Sequence, residues 1–155
     1  MIETQNYLTS EKIQEFKKEL EYLRIEKRKE VAENLEYAKK LGDLSENAEY
    51  NEARQDQAEV EDRISHLENV LKSVVIVDEQ HGDRASVGST VKVQKSGDKD
   101  VRIYKIVGSE EADMASGKIS NLSPIGVALL GKKKGDNFSF STPKGKTEYT
   151  LISIE

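Results

Sequence analysis

The chain is predicted to be an α+β protein: an N-terminal antiparallel two-helix hairpin of coiled-coil type over residues 1–75, then a small antiparallel sheet domain with one short helix over 76–155. Three observations predict it. Apolar residues recur at steps of three and four through two stretches of the first half, and a polar segment opening with a glycine separates those stretches. The second half changes to short alternating runs of β-branched and aromatic residues.

The first helical stretch follows Thr9 and Ser10, either of which offers an N-cap ahead of Glu11. Ile13, Phe16, Leu20 and Leu23 form an apolar seam, and Val31, Leu35 and Ala38 continue it after the charged run Glu26-Lys27-Arg28-Lys29-Glu30. That run puts charge where the seam needs apolar side chains, so packing there is expected to rely on the stems of long side chains. Gly42 then stops the helix, because a residue without Cβ takes the left-handed backbone of a C-terminal cap. Periodicity resumes with Ala53, Gln57, Val60, Ile64, Leu67, Leu71 and Val74, and the two seams are expected to zip antiparallel. Thirty residues at about 1.5 Å each make a rod of roughly 45 Å, longer than a core of this size requires.

After Val74-Val75-Ile76-Val77 the pattern changes, and the stretch from Asp78 to Ser89 reads as a linker. Thr90–Gln94 and Val101–Val107 alternate as strands about a turn at Ser96-Gly97-Asp98. Phe138–Phe140 and Thr147–Ile154 do so about Pro143-Lys144-Gly145-Lys146. Between the pairs, Ser123-Pro124 opens and Gly131 closes a short helix expected to cover the sheet. Ile125, Val127, Leu129 and Leu130 on that helix, and Tyr104, Phe138, Phe140 and Tyr149 on the strands, read as core.

Composition narrows the function. With no cysteine, the chain has no disulfide framework, thiolate metal site or cysteine nucleophile, which is compatible with a reducing compartment; a cytoplasmic setting is expected. No signal peptide or membrane span is expected from the polar N-terminus. The net charge of −5 is unevenly divided. Residues 1–78 hold 12 Lys and Arg against 19 Asp and Glu, whereas 79–155 hold 12 against 10. An acidic hairpin argues against independent sequence-specific DNA binding, which needs a basic face for phosphates. His66 and His81 have no partner at metal-binding spacing, and Lys132-Lys133-Lys134 reads as a solvated loop.

The segment Gly42-Asp43-Leu44-Ser45-Glu46-Asn47-Ala48-Glu49-Tyr50 carries the chemistry. Asp43 and Glu46 are three residues apart, which on a helical turn places them about 5 to 6 Å apart at Cβ, a spacing that suits a shared cation. The same spacing is that of a capping box, with Asp43 as N-cap and Glu46 at N3, and spacing alone favours the cap. Lys39, Lys40, Tyr50 and Arg54 supply positive charge and an aromatic face beside this segment, suited to a nucleic-acid strand or to ordinary solvation.

This segment closely resembles the signature of the bacterial Gre transcript-cleavage factors, of the GreA type. Ser123-Pro124-Ile125-Gly126-Val127-Ala128-Leu129-Leu130-Gly131-Lys132 resembles their second signature, and the two occur in the expected order. The resemblance implies an FKBP-like second domain and a transcription elongation factor that is not itself an enzyme. It implies a hairpin that enters the secondary channel of RNA polymerase and stimulates the polymerase's own cleavage of backtracked RNA near its 3′ end. Asp43 and Glu46 would then complete coordination of a second Mg²⁺. Lys39, Lys40, Tyr50 and Arg54 would face the RNA, and Asp113, Ser123, Pro124 and Ile125 would dock the polymerase at the channel rim. FKBP-like shape does not bring isomerase activity with it. Ser45 stands where relatives carry a basic residue, which alters the charge of the segment. The alternative is a non-cleaving relative that binds and inhibits the polymerase, although such relatives tend to a more acidic or altered tip.

Overall fold

A computed structural model describes residues 5–43, 46–77 and 82–155. It divides into two compact units, Glu11–Ser73 and the described parts of Met1–Ser10 with Val74–Glu155.

The first unit is a helical hairpin. Its first arm runs from α1 (Ser10–Tyr22) through a π-helical turn (Leu23–Lys27) into α2 (Arg28–Lys39). The second arm is α3 (Ala48–Lys72), 25 residues and so about 37 Å long. The expected seam is present: Ile13, Phe16, Leu20, Leu23, Val31 and Ala38 are buried against Ala53, Val60, Ile64 and Leu67. Four positions differ from the sequence reading. Leu35 is only partly buried, and Val74 lies in a strand rather than on the helix. Gln57 is exposed, and Val70 takes the buried place expected of Leu71, which is only partly covered.

The charged run between Leu23 and Val31 has a specific backbone solution. Eight residues separate these two seam positions, one more than a heptad, so a regular helix would carry Val31 off the seam. The π turn absorbs the extra residue by bonding the Arg28 N–H to the Leu23 carbonyl, five residues back. Cross-hairpin ion pairs flank the seam: Arg28 with Glu61 at 2.7 Å, Arg63 with Glu19 at 2.7 Å, and Arg24 with Glu68. Each arginine holds its partner's carboxyl below the usual range, chiefly through the hydrogen bond itself.

The second unit holds two sheets. β1 (Asn6–Leu8) and β2 (Val74–Ile76) form a parallel pair, so Asn6–Leu8, expected to lead into the hairpin, instead belongs with the second unit. Gly108 lets this pair sit close, since a Cβ there would overlap the Tyr7 carbonyl oxygen. The main sheet runs β5-β4-β3-β7-β6, from β3 (Thr90–Lys95), β4 (Val101–Val107), β5 (Lys118–Ser120), β6 (Asn137–Thr142) and β7 (Gly145–Ile154). Both expected hairpins are present, with Gly97 and Gly145 at positive φ in their turns. The sheet is mixed rather than wholly antiparallel, because β5 pairs with β4 in parallel.

Val91, Val93, Ile106, Ile119, Phe138 and Leu151 form the core with Leu129 of the short helix α4 (Pro124–Leu129). Tyr149 stacks between Phe138 and Phe140 at 5.6 and 5.4 Å, as expected of core aromatics. Val127 and Leu130, read as core, are exposed, at 60% and 36%. A six-residue helix has only one inward face, and Leu129 occupies it.

Candidate functional site

Arms that pair antiparallel must be joined at one end, opposite the end where the chain enters at Glu11 and leaves at Ser73. That joint carries Asp43 and Glu46. α2 closes through a tight turn, with Lys40 N–H on the Tyr37 carbonyl and Leu41 N–H on that of Ala38, both at 3.1 Å. Gly42 then takes φ +130°, a backbone that residues with a Cβ rarely adopt. Asp43 and Glu46 follow in non-helical backbone, both exposed. Leu44 and Ser45 lie outside the described residues, as do Asp78 of the expected linker and His81.

The capping-box reading of the pair is overturned. α3 begins at Ala48, and its N-cap is Asn47, with φ −90° and ψ 99°, whose side-chain oxygen accepts the Tyr50 N–H at 3.1 Å. Neither acid lies on a helix, so the helical Cβ spacing expected of them does not apply. Asp-x-x-Glu is a strong local pattern, but Gly42 needs several more residues to turn the chain, and that displaces the helix start. Asn47 was the residue missed. An asparagine directly before a long helical stretch is itself a cap signal, hidden here by the stronger pattern.

Both acids are hard oxygen donors suited to Mg²⁺. Two do not make a cation site, and among the described residues no three His, Cys, Asp or Glu side chains gather to hold a metal. The arrangement can lend ligands to a site completed elsewhere.

The basic candidates lie beside the loop. Lys39 and Lys40 are exposed at the end of α2, and Arg54 donates to the Tyr50 hydroxyl at 3.3 Å, one turn apart on α3. A groove between the arms is lined by Asn34, Tyr37, Glu49, Glu52, Ala53 and Asp56. Counted at 100° per residue, these residues of α3 fall on the flank away from Tyr50 and Arg54, so on this arm the acidic residues and Arg54 lie on opposite flanks. His66 is exposed on α3.

The second group of candidates surrounds α4. Ser123 caps that helix, its hydroxyl accepting the Gly126 N–H at 3.2 Å and donating to the Ser120 carbonyl at 2.6 Å. Pro124 is exposed, and Ile125 leans on the core. Asp113 precedes the 3-10 turn Met114–Ser116, accepting the Ala115 N–H at 3.1 Å and the Ser116 hydroxyl at 2.7 Å. These bonds, the Ser116 hydroxyl foremost, hold its carboxyl below the usual range. Met114, Leu122 and Val127 are among the large exposed apolar side chains of this region, at 67%, 56% and 60%, and none was singled out from sequence as a surface residue.

A two-helix probe with paired acids at its closed end, followed by a small sheet domain, defines a class of two-domain accessory factor. The chain belongs to the GreA/GreB family of transcription elongation factors. Residues 6–76 match the family model "Transcription elongation factor, N-terminal", and 79–155 match "Transcription elongation factor, GreA/GreB, C-term". It is 48% identical over 153 residues to the transcription elongation factor GreA of Clostridium beijerinckii, covering 97% of this chain and 95% of that one. Against the GreA of Clostridium acetobutylicum it is 45% identical over 150 residues, covering 96% and 95%. Among solved structures, the GreA factor homolog 1 (Gfh1) protein of Thermus thermophilus matches with 31% identity, 98% and 99% coverage and a TM-score of 0.46. Among the described residues no helix is long and apolar enough to cross a membrane.

Proposed function

We propose that this elongation factor acts on RNA polymerase by passing the closed end of its hairpin through the secondary channel and stimulating the polymerase's Mg-dependent cleavage of backtracked RNA, so that arrested complexes resume. The observation that supports this is the exposure of Asp43 and Glu46 together in the short loop that closes a long helical arm. Asp43 and Glu46 are the residues that would hold a second Mg²⁺, with the polymerase supplying the remaining ligands. In two-metal phosphoryl chemistry such an ion activates the attacking water or steadies the leaving oxygen.

The chain's own part is delivery and orientation. The helical arms carry the acids, and Lys39, Lys40 and Arg54 attract the phosphates of the displaced RNA 3′ end while Tyr50 offers a face for a base. Asp113, Ser123, Pro124 and Ile125 belong to the surface by which the second unit docks on the polymerase. An isolated pair of exposed acids has neither enough ligands nor a dry cavity, so the chain alone is expected to show no nuclease activity.

The test is RNA cleavage in stalled elongation complexes with the native chain, Asp43→Asn and Glu46→Gln. Each variant is expected to lose at least about a hundredfold in rate, equivalent to about 2.7 kcal/mol of barrier, while binding polymerase normally. Unchanged cleavage with both variants overturns the reading. A native chain that binds polymerase and slows it without cleavage makes the protein a non-cleaving regulator instead.

A further inference from the structure

Asn47 touches both arms of the hairpin. Its side-chain oxygen accepts the Tyr50 N–H at 3.1 Å, capping α3, and its amide nitrogen donates to the Ala38 carbonyl at 2.6 Å, in the last turn of α2. One planar amide thus ties the end of one helix to the start of the next. The seven residues between Lys39 and Asn47, which include Asp43 and Glu46, are strung between those two points.

We infer that Asn47 is a positioning residue for the Asp43–Glu46 pair, holding the loop in the geometry that cleavage stimulation needs; this rests on the function proposed above. The cap alone does not call for asparagine, because aspartate caps a helix as well and suits its positive N-terminal end better. What asparagine adds is a donor on the opposite side of the amide. The Ala38 carbonyl already accepts the Leu41 N–H at 3.1 Å, and the Asn47 amide fills its second lone pair. Ala38 is 1% exposed, so this clasp sits at the last buried layer of the seam, where water competes poorly for the bond. Beyond it the chain leaves the seam, and the residues from Lys40 to Asp43 are exposed. Catalytic groups need placement to within about 0.5 Å, and a misplacement of about 1 Å costs on the order of a hundredfold. A loop bearing metal ligands therefore gains rate from a fixed base even when that base touches neither metal nor substrate.

Asn47→Asp separates the two bonds. It keeps the acceptor for the Tyr50 N–H and turns an oxygen toward the Ala38 carbonyl in place of the donor. In the free chain, exchange of the amides at Lys40 and Leu41, which bond the Tyr37 and Ala38 carbonyls, is expected to speed several-fold while the Tyr50 amide keeps its protection. In stalled elongation complexes the variant is expected to bind polymerase with unchanged Kd, to cleave roughly tenfold more slowly at saturation, and to need several-fold more Mg²⁺ for half its maximal rate. Should the Tyr50 amide lose protection, Asn47→Ser, a cap too short to reach Ala38, carries the same test with the same outcomes. Native cleavage and Mg²⁺ dependence in the variant, with Asp43→Asn and Glu46→Gln defective, overturn the inference and leave the proposed function standing. Slow cleavage without faster loop exchange overturns it too. Full cleavage by Asp43→Asn and Glu46→Gln overturns the proposed function itself.

Discussion

Arg63 meets Glu19 across the hairpin through two nearly parallel bonds, 2.7 and 3.0 Å, while its guanidinium lies 5.6 Å over the ring of Phe16. The pair joins the outer rim of the seam to one of its buried members. Because the arginine bond holds the Glu19 carboxyl below its ordinary 4.5, the folded state binds its proton less readily than the unfolded chain does. Its contribution is therefore complete above the unfolded value and is lost as pH falls through the folded one. Both side chains are more than a third exposed, at 40% and 37%, so water screens the pair and the effect is small. Glu19→Gln is expected to cost about 0.5 to 1 kcal/mol at neutral pH, the difference from the native chain shrinking as pH drops below the unfolded value of 4.5. Urea unfolding of both chains across that range measures it, and a constant difference contradicts the assignment.

The π turn predicts an unusual tolerance. It exists because Leu23 and Val31 are one residue further apart than a heptad, and Ile25 within it is 62% exposed. Deleting Ile25 restores seven-residue spacing and lets the turn revert to regular α-helix, with the same seam facing α3. The deletion is expected to leave the hairpin stable to within about 1 kcal/mol, an effect the size of a surface substitution rather than of an insertion or deletion in a packed helix. Leu67→Ala, at a fully buried seam position, is the contrast and should cost about 2 to 5 kcal/mol. Thermal unfolding of the two variants side by side decides, and a deletion as damaging as Leu67→Ala would show that the π turn is needed for its own sake.

Gly126 is the third position with a sharp expectation. It is buried in α4, and a Cβ there would overlap the Ser120 carbonyl oxygen, which already accepts the Ser123 hydroxyl that caps the helix. Backbone cannot move aside as a flexible side chain can, so Gly126→Ala should lift α4 and Leu129 from the sheet at a cost of about 2 to 3 kcal/mol. Near-ultraviolet circular dichroism of the Phe138, Tyr149 and Phe140 stack, together with urea unfolding, reports this. A stable variant with an unchanged aromatic signal would mean that α4 is not held by this close approach.

What was legible in the sequence was what a short pattern can carry. The seams from Ile13 to Leu23 and from Ala53 to Leu67 repeat often enough to outweigh the charges between them, and the turns at Gly97 and Gly145 sit between clear alternations. Features that depend on distant partners were not legible. Asn6–Leu8 becomes a strand only because Val74–Ile76 returns beside it after both helical arms, and Lys118–Ser120 has a single buried residue, Ile119, to mark it. At the closed end the two acids stood out through the resemblance of their segment to the Gre signature, since their spacing alone favoured a cap. Their setting was misread, because the same spacing describes a cap and the true cap, Asn47, reaches across to Ala38 through space.

The docking role proposed for Asp113 rests either on its charge or on its shape. Its carboxylate is engaged within its own turn, one oxygen on the Ala115 N–H and the other on the Ser116 hydroxyl, and the residue it helps to fix, Met114, is 67% exposed. If the acid works by shaping this turn, Asp113→Asn, which keeps an acceptor for the Ala115 N–H, should bind polymerase within about threefold of the native chain. Asp113→Ala, which removes the cap, should bind about tenfold more weakly. If instead the charge meets a basic group on the polymerase, Asn and Ala variants should weaken binding alike, and the loss should fade with added salt. Competition binding at two salt concentrations separates these outcomes. Because the Ser116 bond holds the carboxyl below its ordinary 3.8, the turn is expected to stay capped at and above that pH and to loosen only as pH falls through the folded value.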